Sequence, residues 1–482
     1  MQRIRAIFSP RDMTVGTPWK RILEFAFPML VGNIAQQLYA STDSVVVGQY
    51  VGDHALASVG SAGPILMFMI ALFVGISTGA GILVSQAFGA KDRERLSTAI
   101  GNCITLTAIA AAVIMVLGVV LARPVLQTLH TPPEIIEDAI RYLQIYFLGI
   151  AGFTYYNILS GILRGLGDSF SALGFLLLTS ALNIVLDLWF VISFGWGVAG
   201  VAFATVIAQT VSAILCYLKL TRMSHTFDIN RHTLKLKKET VGDILRLGMP
   251  SGATQAIFSM AMLVVQRLQN SFGPLFVATA IIAMRVDGFA MMPNFSFGMA
   301  MTTFTGQNIG ARRLDRAQQG AKQGTLLAVG VAMVMTTAVL VFGRSIMSLF
   351  TQTQEIIDTG MRLIQILSLG FIAMAVTQCL SGVMRGAGDA MTPMWISLLV
   401  AVALRVPLSY WLVDLSRTAE NPAGRPEMIY VAMLATWVTG AVINILAFRY
   451  GRWRKKARER MASFSTQEGL EEVMEYSTDF SG

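Results

Sequence analysis

Residues 159–168 read LSGILRGLGD, and residues 380–389 read LSGVMRGAGD. They lie 221 residues apart, and the same offset joins three further stretches. EII at 134–136 meets EII at 355–357, with Arg141 falling on Arg362. Gly149 falls on Gly370, and QAFGAK at 86–91 falls on QNIGAR at 307–312. One offset held across four separated stretches marks an internal duplication. Each RGxGD stretch reads as a turn. Its glycine permits a tight reversal, and Asp168 or Asp389 is placed to cap the helix that follows. Arg164 and Arg385 are expected to reach the membrane interface.

Between these landmarks the chain is apolar. Of 482 residues, 54% are hydrophobic and only 13% charged, against about 25% charged in soluble domains. Twelve stretches are long enough to cross a hydrocarbon core, which takes about 20 residues. They are 22–47, 57–88, 97–121, 135–163, 170–193, 198–220, 242–270, 275–308, 319–342, 355–384, 390–413 and 428–448. Each repeat holds six, and an even number keeps both repeats in the same orientation. The expected fold is an all-α integral membrane protein, with twelve transmembrane helices in two parallel six-helix repeats. Its expected parts are an N-terminal lobe (1–218), a solvated polar linker (219–241), a C-terminal lobe (242–450) and a tail (451–482).

The net charge of +9 fits membrane orientation better than nucleic acid, because the basic residues collect between the apolar runs. With both termini inside, the inner segments hold 28 of the 37 lysines and arginines. That asymmetry predicts cytoplasmic termini and a multi-pass protein of the cytoplasmic membrane. The N-terminus MQRIRAIFSPRDM is basic, with no signal-peptide core or cleavage site. Cys103, Cys216 and Cys379 sit in apolar segments and read as packed thiols. The four histidines have no metal-ligand spacing.

A carboxylate inside a membrane helix costs about 2.5–3.5 kcal/mol on insertion scales, so such residues face cavities or partners. In the first repeat they are Asp43 and Asp187. Both lie about 6–9 Å below the outer ends of their spans at 1.5 Å per residue. Thr205 falls at the same level on the returning span, and Asn183 lies one turn below Asp187. Gln36, Tyr39 and Asp43 share a face of span one. Two carboxylates in one pocket of low dielectric cannot both stay cheaply ionised, so the pair can take up a proton. With Asn183 and Thr205 as oxygen ligands, Asp43 and Asp187 can alternatively hold Na⁺. Pro28, fifteen residues before Asp43, reads as an entry kink or as a hinge.

The second repeat differs. At the 221 offset Asp43 falls on Val264, Asn183 on Leu404 and Asp187 on Leu408. Its one clear intramembrane acid is Asp287, with Arg285 close by as a local compensating charge. Arg267 and Arg405 lie within other spans. Met284, Met291, Met292 and Met299 are spaced along one helical face, as a packing surface or an adaptable binding wall.

The sequence resembles the multidrug and toxic compound extrusion (MATE) family over nearly its whole length. The resemblance rests on FPMLVGNIAQQLYASTDSVVVGQYVG, the GQNIGA turn, both RGxGD turns and LNIVLDLWF. It implies a two-lobed antiporter that exports organic cations in exchange for H⁺ or Na⁺. It also implies that Asp43, Asn183, Asp187 and Thr205 form a first-lobe ion site, joined by Gln36, Tyr39 and Asn157. Asn157 sits low for that level, near the inner end of its span. Some members carry acidic cation ligands in the second lobe; span seven here has Gln255 and Arg267 but no acid. No cofactor is expected beyond the coupling ion. The expected partners are small organic cations and membrane lipids, with the chain acting as a monomer. A flippase for lipid-linked precursors is the rival reading, kept open by Arg267, Arg285 and Arg405. A membrane-embedded enzyme finds no nucleophile–base or metal motif to support it.

Overall fold

A computed structural model describes residues 10–46, 50–129 and 131–464, without the side chains of 38–46, Asp53, Leu56 and Phe68. Within a membrane a backbone must satisfy its own hydrogen bonds, and the described residues do so as helices. In the first half these are α1 (Pro18–Val46), α2 (Asp53–Gly89), α3 (Arg93–Thr128), α4 (Pro133–Leu148), α5 (Ile150–Gly165), α6 (Ser169–Leu188) and α7 (Gly197–Thr221). The second half holds α8 (Lys238–Asn270), α9 (Pro274–Gly310), α10 (Leu314–Ser348), α11 (Gln354–Gly386), α12 (Met391–Leu398), α13 (Arg405–Leu415) and α14 (Glu427–Tyr450). A short basic helix, α15 (Trp453–Ser463), follows. Among the described residues ten helical stretches are long and apolar enough to cross a membrane. The pair α4–α5, bent by 52°, makes an eleventh, and α1 completes the twelve-helix bundle.

Each expected span is a helix, usually two to six residues longer at its ends than predicted. The span expected at 135–163 is instead two helices broken at Gly149, while α11 runs straight through the equivalent Gly370. Asp168 and Asp389 cap their helices as expected, bonding to Ser171 and Thr392. Gly167 and Gly388 take positive φ angles of 86° and 93°. Arg164 departs from expectation. It turns inward, donating to the hydroxyls of Ser160 at 2.8 Å and Ser77 at 3.4 Å. Arg385 is likewise half-buried.

The two halves repeat their packing. α2 lies on α5 as α9 lies on α11, and α5 lies on α7 as α11 lies on α14. The contact between halves has the same symmetry: α2 meets α8, α9 meets α1, and α2 and α9 cross each other. It rests on two GxxxG stretches, GISTG at 75–79 and GMPSG at 248–252. A Cβ on Gly75 would stand 2.5 Å from Gly252 Cα, and one on Gly79 would stand 2.5 Å from Gly248 N. Only glycine lets these backbones touch. Farther along α2, toward the opposite face, Cβ atoms on Gly60 and Gly63 would meet nothing within 4 Å. The halves are therefore in backbone contact along the stretch of α2 that meets α8, and the glycines farther along α2 face open space.

The basic face carries both described chain ends, and neither hangs free. Met13 is buried; its N–H donates to Gln307 Oε1, and its carbonyl accepts from Arg316. The linker is docked rather than a free solvated loop. Asn102 donates to the carbonyls of Thr233 and Lys235, and Phe227 is buried against α3 and α5. Arg93 pairs with Asp228 at 2.9 Å and holds that carboxyl below its ordinary range. In the region expected to be tail, α15 buries Trp453 under Phe448 and pairs Lys456 with Asp389 and Arg460 with Asp243. Phe464 reaches the first half, packing in the cluster of Leu96 and Ile100, under the Arg95 guanidinium.

Candidate ion-coupling site

Three predicted residues converge between α6 and α7. Asn183 and Asp187 are each 1% exposed and Thr205 7%. Asn183 Nδ2 donates to Thr205 Oγ1 at 3.4 Å. The residue facing Thr205 is thus Asn183, with Asp187 one turn beyond on the same face of α6. Two residues past Asp187 the helix widens into a π-helical turn, Trp189–Ser193, a distortion often found at functional sites. Phe190, Phe194 and Trp196 pack against one another around that turn, with Phe190 and Trp196 centroids 5.1 Å apart, and Phe203 meets Trp196 edge-on. Leu186, Phe190 and Ala204 form the apolar wall. The result is a cluster of oxygen groups in an apolar setting, suited to a proton or a hard cation.

The other predicted members divide. The Tyr39 and Asp43 side chains lie outside the described residues, although the α1 backbone runs beside α6. Gln36 is exposed on α1. Asn157 is engaged elsewhere: its side-chain amide bonds to Phe153 O within α5, and its carbonyl accepts from Ser77 on α2.

The second half holds a different polar group. Asp287, Gln269, Tyr430, Met262 and Met284 line a chamber of about 30 Å³, room for a single water. Among the described residues no arginine forms an ion pair with Asp287. Arg285 lies instead over the Phe350 ring, 5.8 Å from its centre. Residues two apart leave a helix on different sides, so sequence proximity misled here. Arg405 is 2% exposed and donates to Thr436 Oγ1 at 3.2 Å, with the rings of Phe258 and Trp437 about it. It directly follows the π-helical segment Leu399–Leu404. Met291 and Met292 are buried in packing, while Met284 borders the chamber.

At the basic face the repeated motifs close on one another. Gln86 Nε2 donates to Gly386 O at 2.9 Å, and Gln307 Nε2 donates to Gly165 O at 3.1 Å. Each glutamine thus reaches into the RGxGD turn of the other half. Both are fully buried. Losing either bond strands a buried carbonyl, at about 1–3 kcal/mol. Gln86→Leu and Gln307→Leu are both expected to loosen this face, Gln307→Leu the more, because it also strands the Met13 N–H. Labelling of a cysteine placed beside the clamp would rise about tenfold or more for each variant. Labelling unchanged from the parent protein would show that the pair is not a clamp.

Two six-helix repeats in parallel, joined by close backbone contact between α2 and α8, define a duplicated multi-pass membrane protein. A family model described as MatE matches residues 28–189 and again 250–411. The chain belongs to the MatE family. It is 28% identical to the probable multidrug resistance protein YoeA of Bacillus subtilis, over 92% of this chain and 96% of that one. It is 26% identical to the probable multidrug resistance protein NorM of Thermotoga maritima, over 92% and 95%. Among solved structures, an outward-facing multidrug resistance MATE family transporter superposes with a TM-score of 0.84. It is 24% identical and covers 95% of this chain and 98% of its own.

Proposed function

We propose that the protein is a secondary antiporter that exports amphipathic organic cations across the cytoplasmic membrane, in exchange for H⁺ or Na⁺ taken up in the first lobe. The observation that carries this reading is the buried Asn183–Thr205–Asp187 group, present in one repeat and replaced by Leu404 and Leu408 in the other. A duplicated fold that keeps a costly polar group in a single copy uses that copy for something besides packing. The relatives' names support drugs as cargo. The basic face, with both described ends, is the cytoplasmic side, and the lobes part toward the outside. Asp43, on the helix beside α6, supplies the second carboxylate. The protein acts as a single chain and is not an enzyme.

In the cycle, cargo enters from the cytoplasm and the lobes rock outward. Asp43 and Asp187 then take up the ion, α1 shifts against α6, and cargo leaves. The flippase reading is less favoured. It needs arginines that converge on a polyanion, whereas Arg285 stacks on Phe350 and Arg405 is held among aromatic rings.

Purified protein in liposomes, given a pH gradient and a Na⁺ gradient separately, tests the coupling. Dye efflux is expected to follow one of them at least, and Asp43→Asn is expected to reduce gradient-driven efflux to the protein-free leak. Efflux indifferent to both gradients, or intact in Asp43→Asn, would reject the mechanism.

A further inference from the structure

A groove of about 550 Å³ runs along α10 on the outer surface of the bundle, with Trp19 from the start of α1 at one end. Trp19, Gln323, Leu326, Gly330, Val334 and Met335 line it. We infer that it is a binding site for an anionic glycerophospholipid, one acyl chain lying in the groove and the headgroup at its basic-face mouth. This inference goes beyond the export reading and does not depend on it.

Length is the first argument. From Gln323 to Met335 the groove follows α10 for about 18 Å at 1.5 Å per residue. One leaflet of a hydrocarbon core is about 15 Å deep, so the groove accepts one chain of one leaflet. Its walls are apolar and open to the lipid side: Leu326 is 72% and Val334 69% exposed. Gly330 keeps the floor clear, because a Cβ there would meet nothing within 4 Å.

The mouth supplies the second argument. Trp19 stands at the start of α1, where an indole suits the membrane interface, and its backbone N–H donates to Gln323 Oε1 at 3.2 Å. Lys20 and Lys322 are exposed at the same end. Arg21 is already paired with Glu24 at 3.1 Å. Two lysines attract an anionic headgroup and repel a cationic drug, so charge selects lipid over transport cargo. The groove also joins helices from opposite repeats.

Native mass spectrometry of the full-length protein, exchanged into detergent with phosphatidylglycerol or phosphatidylcholine, tests the site. Two lysines near the headgroup predict about a 30-fold preference for phosphatidylglycerol. Gly330→Phe is expected to lose the bound lipid, and Lys20→Gln with Lys322→Gln to erase the preference while keeping a bound chain. Equal retention of both lipids by the parent protein would overturn the proposal. So would full retention in Gly330→Phe, or displacement of the lipid by a cationic dye. Should Gly330→Phe fail to give a monodisperse protein, the paired lysine variant decides alone.

Discussion

Asp187→Asn is expected to abolish ion-driven export while leaving the protein folded, and no less stable than its parent. The two effects have one cause. Asp187 is 1% exposed among apolar walls, and an ionised carboxylate held there costs the fold about 2.5–3.5 kcal/mol on insertion scales. Asparagine keeps the shape and the hydrogen-bonding oxygen but has no charge to exchange. If the side chain only tied α6 to α7, the swap would lower the melting temperature and spare export. If it carries the coupling charge, the melting temperature stays or rises and gradient-driven efflux falls to the leak rate. Parallel melting curves and dye efflux separate the cases, and export at parental rates in Asp187→Asn would end the proposal.

Gly79→Leu is expected to stop transport by a different route. A Cβ at this position would lie 2.5 Å from both Gly248 N and Ile244 O, inside the distance any real contact tolerates. Both are backbone atoms, so no side chain can step aside. α2 and α8 must separate, and the basic face cannot close. Cysteines on either side of the clamp would then label continuously from the cytoplasm, and efflux would fail. Gly60→Leu is the control, since it adds the same bulk to the same helix where a Cβ meets open space. Equal damage from both variants would mean that bulk in α2, rather than closure, is at fault.

The twelve spans and the duplication were legible because both are written in local patterns: apolar length, and motifs recurring at one offset. Helical rise converts residue count into depth and brought Asn183, Asp187 and Thr205 within a turn of one another, but it set Thr205 level with Asp187, whereas Thr205 bonds Asn183, one turn deeper. Arg285 does not compensate Asp287, because proximity along a chain is not proximity across a helix; its guanidinium lies over the Phe350 ring. The break at Gly149 was hidden for a related reason, since Gly370 in the equivalent place does not bend its helix. The GxxxG stretches carry a signal of the same local kind, small residues one turn apart in apolar helices. Helix α15 had no apolar run to announce it. Its order comes from Trp453 and from ion pairs with distant residues.

That last helix has a practical consequence. From Trp453 to Phe464 it leans on Asp389 and Asp243 of one repeat and ends against Leu96 of the other. Anything inserted directly after Phe464 would therefore sit against both repeats at once. A bulky reporter placed at that point would load the two repeats together, and rates gathered from such a fusion would carry the load as well as the protein.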